Sequence, residues 1–217
     1  MEKEIEIVPA ILVKTKEELM EKIKRVEFAP VLQIDLMDGI FVKNKTISMK
    51  DLENLPKNKE IEYHLMVSEP YNWIDKLPEG ENSIFQVHVE SANIEELDEI
   101  IKLVDVKKSR LCWAINPPTK IGILEKIGMG NACEILVMAV NPGYSGQSYI
   151  SEIDRKMKLL REKYPEIIIE VDGGIVEETI PGAVKAGANR LACASAIFSK
   201  EDAEGAYKEL KKLANNI

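Results

Sequence analysis

Long apolar runs are missing from this 217-residue chain: no stretch reaches the roughly 18 apolar residues that a membrane-spanning helix requires. Cysteine is scarce as well. Cys112, Cys133 and Cys193 lie far apart and follow no metal-ligand spacing, which excludes a disulfide framework or zinc ribbon and leaves them as reduced core residues. Basic excess is absent, since the formal net charge is −8, and this argues against nucleic acid or an anionic membrane as the main partner. The opening MEKEIEIVPA lacks the apolar segment of a secretory signal, so a cytoplasmic protein is expected. No low-complexity or Pro/Ser-rich stretch divides the chain, so residues 1–217 are expected to form one domain.

What the chain does contain is 45% hydrophobic and 30% charged residues, the balance of a globular domain. Eight short apolar runs recur: EIVPAILV, PVLQIDLM, IEYHLMV, SIFQVHV, RLCWAIN, CEILVMAV, EIIIEVDGG and NRLACASAIF. Helical spacing fills most of the gaps between them. In TKEELMEKIKRV, Leu19, Ile23 and Val26 share a face behind Thr15 and Glu18, a capping-box signature. NIEELDEIIKLV repeats the device behind Asn93, with Ile94, Leu97, Ile101 and Val104 as the stripe, and Ile150, Ile153, Met157 and Leu160 form a third stripe ended by Pro165.

Strands alternating with helices imply βαβ units and a parallel sheet. A spacing of about 27 residues per unit suits a small (β/α)8 barrel, the TIM barrel, and an open doubly wound sheet is the rival. Polar residues favour the barrel: Asp35, His64, His88, Asn141 and Asp172 fall at or after the C-terminal ends of different runs, which a barrel gathers at one mouth.

Asp35 and Asp172 sit in otherwise apolar strands, where a carboxylate is costly unless paired or bound to a cation. Two carboxylates and the imidazole of His64 at neighbouring barrel positions make a divalent-metal site. The turns VNPGYSGQ, VDGGI and ACASAIF follow the last three runs, where such barrels cradle phosphate with backbone N–H groups.

With those residues in place, the chain resembles the ribulose-phosphate 3-epimerase family. The resemblance is carried by VPAIL at Val8 to Leu12, ID-x-MDG-x-FV-x-N at Ile34 to Asn44, HLMV at His64 to Val67, INPPT at Ile115 to Thr119, LVMAVNPGYSGQ at Leu136 to Gln147, VDGG at Val171 to Gly174 and SAIF at Ser195 to Phe198. It implies a ribulose-phosphate-binding (β/α)8 barrel that interconverts D-ribulose 5-phosphate and D-xylulose 5-phosphate by inverting C3. Asp35 and Asp172 would be the acid/base pair on opposite faces of the sugar. Both would bind one divalent metal ion (Zn, Fe, Mn or Mg) together with His64, and the metal would polarise the C2 carbonyl and stabilise an enediolate. Met37, Met66 and Met138 would cushion that intermediate. Gly143, Tyr144, Ser145, Gly146, Gly173, Gly174, Ala194 and Ser195, with His64, would hold the sugar phosphate, and His88 matches a family position without a direct role. Family members often form homo-oligomers; the surface pattern fixes no subunit number.

Three positions depart from the family. Gln33 replaces a histidine metal ligand; its carbonyl oxygen is a harder, weaker donor, so the site is expected to shift from zinc or iron toward manganese or magnesium, or to bind metal weakly. Ala10 replaces a serine that contacts the sugar, and Ala194 replaces a glycine beside the phosphate. A different ketose phosphate, such as a hexulose 6-phosphate, and a barrel that binds sugar phosphate without turnover are therefore the competing expectations. The Asp-x-Lys-x-x-Asp motif of related decarboxylase and aldolase barrels is absent, since Met37 and Ile40 occupy its later positions.

Overall fold

The computed structural model describes residues 4–130 and 132–217. Eight strands, β1 (Glu6–Ile11), β2 (Val31–Met37), β3 (Glu60–Met66), β4 (Ser83–His88), β5 (Arg110–Ile115), β6 (Glu134–Met138), β7 (Ile168–Asp172) and β8 (Arg190–Cys193), pair in chain order, and β8 closes on β1. Every pairing is parallel, and the β8–β1 pairing that closes the sheet rules out the open-sheet alternative. All eight apolar runs are strands of this barrel.

The helices are α1 (Lys16–Arg25), α2 (Pro70–Lys76), α3 (Ile94–Val106), α4 (Ile123–Ile127), α5 (Ile153–Lys163), α6 (Ile180–Lys185), α7 (Ser195–Phe198) and α8 (Ala203–Ala214). They are not distributed one per strand. After β2 the chain makes only a 3-10 turn, Met49–Leu52, while β8 is followed by both α7 and α8.

Local chemistry explains the helix starts. Thr15 accepts a hydrogen bond from the Glu18 N–H, but the Glu18 carboxylate reaches one residue further back than a closed capping box requires, to the Lys14 N–H at 2.9 Å. Asn93 and Glu96 close the full reciprocal box on α3. The buried face of α3 differs from the expected stripe at two positions: Ile100 rather than Ile101 is buried with Leu97 and Val104, and Ile94 at the first turn is exposed.

Strand alternation divides β2 between two environments. Leu32, Ile34 and Leu36 pack outward into the large core under the helices, and Gln33, Asp35 and Met37 point the other way, into the barrel. Small and medium apolar groups, among them Ile84, Cys112, Ala114 and Leu136, fill part of the interior. The rest is polar. Arg190 contacts Glu6 and Glu60 at 2.8 Å, Glu62 at 2.6 Å and Glu134 at 3.2 Å, while Gln86 donates to Glu170 at 2.7 Å. One guanidinium cannot balance three fully buried carboxylates: burial, reinforced by Glu134, pushes Glu62 up to about 8, and burial raises Glu170 strongly, so this layer holds protons near neutral pH.

Cys112 and Cys193 are buried with thiols held in the neutral form by desolvation, as expected for core cysteines; Cys133 lies only partly buried before β6.

Candidate active site

The register of neighbouring strands sets the site. Asp35 is the Cα partner of His64 across β2–β3, and Met138 is the partner of Asp172 across β6–β7. Their side chains point into a pocket at the C-terminal mouth of the barrel. Ala10, Met37, Met66, residues 142–147, Gly173, Gly174, Ala194 and Ser195 also line it. The structure thus brings every sequence-nominated site residue to one mouth, except that Gln33 lies fully buried and does not line the cavity. Asn141 stays exposed at the rim.

Four atoms converge beneath the opening. The Gln33 Nε2 donates to Asp35 Oδ1 and Asp172 Oδ2, both at 2.9 Å, and lies 3.4 Å from His64 Nδ1. His64 Nδ1 is 3.1 Å from Asp35 Oδ1 and 3.4 Å from Asp172 Oδ2. Two donors are shared between two carboxylates. Burial lowers the His64 pKa, but hydrogen bonds and charge from Asp172 and Asp35 outweigh it and raise the imidazole to about 9. Burial pushes the Asp35 carboxyl up, with His64 and Gln33 pulling against the rise.

The donor chemistry fits a divalent cation. Asp35, His64 and Asp172 offer ligand atoms within 4.8 Å of one another. Edges near 3 Å are what right-angle neighbours have around a hard ion with bonds of about 2.1 Å. Gln33 is the qualification, because it presents a nitrogen, which cannot ligate, and leaves its buried Oε1 without a hydrogen-bond partner. Turning the amide over would aim that orphaned oxygen at the cluster.

The loops divide the remaining work. Met37 and Met66 pack with Val42 as one apolar wall of the mouth, and Met138 belongs to the interior cluster across from it. Asp38 shapes the turn after β2, accepting from the Ile40, Phe41 and Ser68 N–H groups. Asn44 then donates to the Gly143 carbonyl at 2.8 Å, latching the segment after β2 onto the glycine-rich loop after β6. Gly174 has φ +66° and its backbone lies against Tyr149 so closely that a Cβ would stand 2.5 Å from the Tyr149 nitrogen. Here the turn itself demands glycine, apart from any ligand.

Sequence reasoning misses two sets of residues. The interior Glu62, Gln86, Glu134 and Glu170 are legible as polar residues in apolar strands: Glu62 and Glu170 stand two places before His64 and Asp172, on the same face. His88, given no direct role by the family resemblance, places its Nε2 2.9 Å from His64 Nε2.

A closed parallel barrel with two carboxylates, an imidazole and glycine-rich loops at its C-terminal mouth defines an enzyme of the (β/α)8 class. The particular family follows from comparison. A sequence model described as the Ribulose-phosphate 3 epimerase family matches residues 6–198, and this chain belongs to that family. It is 36% identical to the ribulose-phosphate 3-epimerase of Methanocaldococcus jannaschii over 90% of this chain and 85% of that one. It is 32% identical to the enzyme of the same name from Bacillus subtilis over 95% and 98%. Among solved structures, KGPDC from Streptococcus mutans shares the fold with a TM-score of 0.72 over 98% of both chains, at 11% identity. No helix among the described residues is long and apolar enough to cross a membrane.

Proposed function

We propose that this chain inverts C3 of D-ribulose 5-phosphate to give D-xylulose 5-phosphate. The observation that carries the reading is the pair Asp35 and Asp172, their oxygens held close by one shared amide at the floor of the pocket in the barrel mouth. One aspartate takes the C3 proton and the other returns a proton to the opposite face, and the two exchange roles when the reaction runs backward. Burial of Asp35 favours its protonated form, which suits it to the donor half of that exchange in one direction. Met37, Met66 and Met138 exclude water around the intermediate, and the glycine-rich loops with Ser195 take the phosphate.

Asp35, Asp172 and His64 would hold one divalent cation, with Gln33 as a fourth ligand through Oε1 once its amide is turned. Bound there, the ion would supply Lewis-acid stabilisation of the negative charge that develops on the sugar oxygens. Because the set contains one nitrogen and three oxygens, manganese or magnesium is the expected ion rather than zinc. Tight stoichiometric zinc in protein purified without chelator would overturn that choice.

The test of function is wash-in of solvent deuterium at C3 of ribulose 5-phosphate, followed by NMR with manganese supplied. The unsubstituted chain should incorporate label, and Asp35→Asn or Asp172→Asn should each slow it by at least about 10²-fold. An active single variant removes that residue from the acid/base pair. A second substrate is favoured by one feature, the methyl groups of Ala10 and Ala194 on the cavity wall. Competition between ribulose 5-phosphate and a hexulose 6-phosphate separates the two readings.

A further inference from the structure

We infer that His88 and Glu90 form a positioning chain that fixes the ring of His64 and keeps a proton on its Nε2, so that Nδ1 is the nitrogen available to a cation at the cluster. The inference rests on the proposed metal site, but it concerns residues to which that reading gives no role.

The geometry runs outward from His64. Its ring stacks against His88 with centroids 5.1 Å apart, the two Nε2 atoms are 2.9 Å apart, and both side chains are fully buried. One proton lies between these nitrogens, and its owner decides what His64 presents to the carboxylates. If His88 owned it, the bare Nδ1 of His88 would face the Glu90 carboxylate, whose Oε2 is 3.4 Å away, and a neutral His64 would carry its own proton on Nδ1, where a cation must bind. If His64 owns it, His88 carries its proton on Nδ1 toward Glu90 and accepts through Nε2. The Nδ1–H of His88 then faces the Glu90 carboxylate at ion-pair distance, and that nitrogen has no hydrogen-bond partner of its own among the described residues. In the second arrangement the proton retained on Nε2 makes Nδ1 the position where an incoming cation displaces the proton shared with the carboxylates.

Glu90 is itself held. Its Oε1 accepts from the Asn116 N–H at 2.9 Å and from the Thr119 hydroxyl, and Lys156 of α5 secures the same loop through the Asn116 and Pro117 carbonyls at 2.8 and 2.9 Å. The INPPT motif thereby anchors the carboxylate that orients His88. Phe41 also packs against the His88 ring, with centroids 5.1 Å apart.

The test uses the full chain and Mn²⁺ as the probe. Because the chain has two histidines, its imidazole ¹⁵N spectrum is assigned with one substitution. In the metal-free protein, His88 should carry its proton on Nδ1 with Nε2 bare. His88→Phe should weaken Mn²⁺ binding by about 10–100-fold, whereas His88→Gln, which restores an acceptor, should recover most of it. Glu90→Gln should weaken binding in the same direction and shift the His88 proton off Nδ1. Unchanged Mn²⁺ affinity in folded Glu90→Gln, or an Nε2–H tautomer of His88 in the unsubstituted chain, would overturn the inference. Should the His88 variants lose their cooperative melt, Glu90→Gln and the unsubstituted spectrum still decide. Neither readout involves a sugar, so a chain that fails the deuterium assay leaves this inference standing.

Discussion

Gln33→Met probes the centre of the site, because it keeps the length of the side chain and removes the amide that ties Asp35 to Asp172. In the metal-free protein two N–H···O bonds of 2.9 Å to carboxylates are lost. Bonds to charged groups contribute about 1.5–3 kcal/mol each, so the loss is about 3–6 kcal/mol. The variant also removes the orphaned Oε1, whose burial costs about 1–3 kcal/mol, leaving a net destabilisation of about 3 kcal/mol. For a chain of this size that corresponds to a Tm lower by about 6–12 °C. The assay is thermal unfolding of both proteins in chelator between pH 4 and pH 8. The penalty belongs to ionised carboxylates, so it shrinks as acid protonates Asp35, whose carboxyl burial already pushes up. A variant that melts with the unsubstituted protein at pH 7, or a gap that does not change with pH, would show that the amide does not hold these carboxylates together.

Arg190→Met removes the cation that contacts both Glu62 and Glu134, and breaking such a buried cluster should cost about 3–5 kcal/mol at pH 7, measured by denaturant unfolding. A carboxyl such as Glu62, raised from 4.5 to about 8, favours folding fully below 4.5 and loses that contribution as pH rises through 8, so the Arg190→Met penalty should diminish toward pH 5. Gly174→Ala places a methyl group against the Tyr149 backbone at a left-handed φ; a loss of about 2–4 kcal/mol is expected by the same measurement, and a neutral result would mean that the turn yields.

The strands and the mouth were legible because a buried parallel barrel leaves a repeated mark, short apolar runs, five of them with a polar residue at or just after the C-terminal end. Asp35, His64 and Asp172 could be nominated for that reason. The missing helix after β2 could not be read with the same ease, since a 3-10 turn of four residues carries no periodicity. The orientation of the Gln33 amide was beyond the sequence altogether: residue type announces a carbonyl, but two carboxylates on either side favour the nitrogen. His88 and Glu90 escaped for a different reason. Their relation is set by the β4–β5 register and by the loop holding Asn116 and Thr119, and no spacing along the chain expresses it.

The segment between β2 and its 3-10 turn, freed from forming a helix, is pinned by Asn44 to the loop after β6. For anyone recombining this barrel with a relative, those two stretches are a single cassette. Exchanging residues 38–48 alone would bring in a donor matched to a foreign Gly143 carbonyl, so chimaeras should move both stretches together or neither.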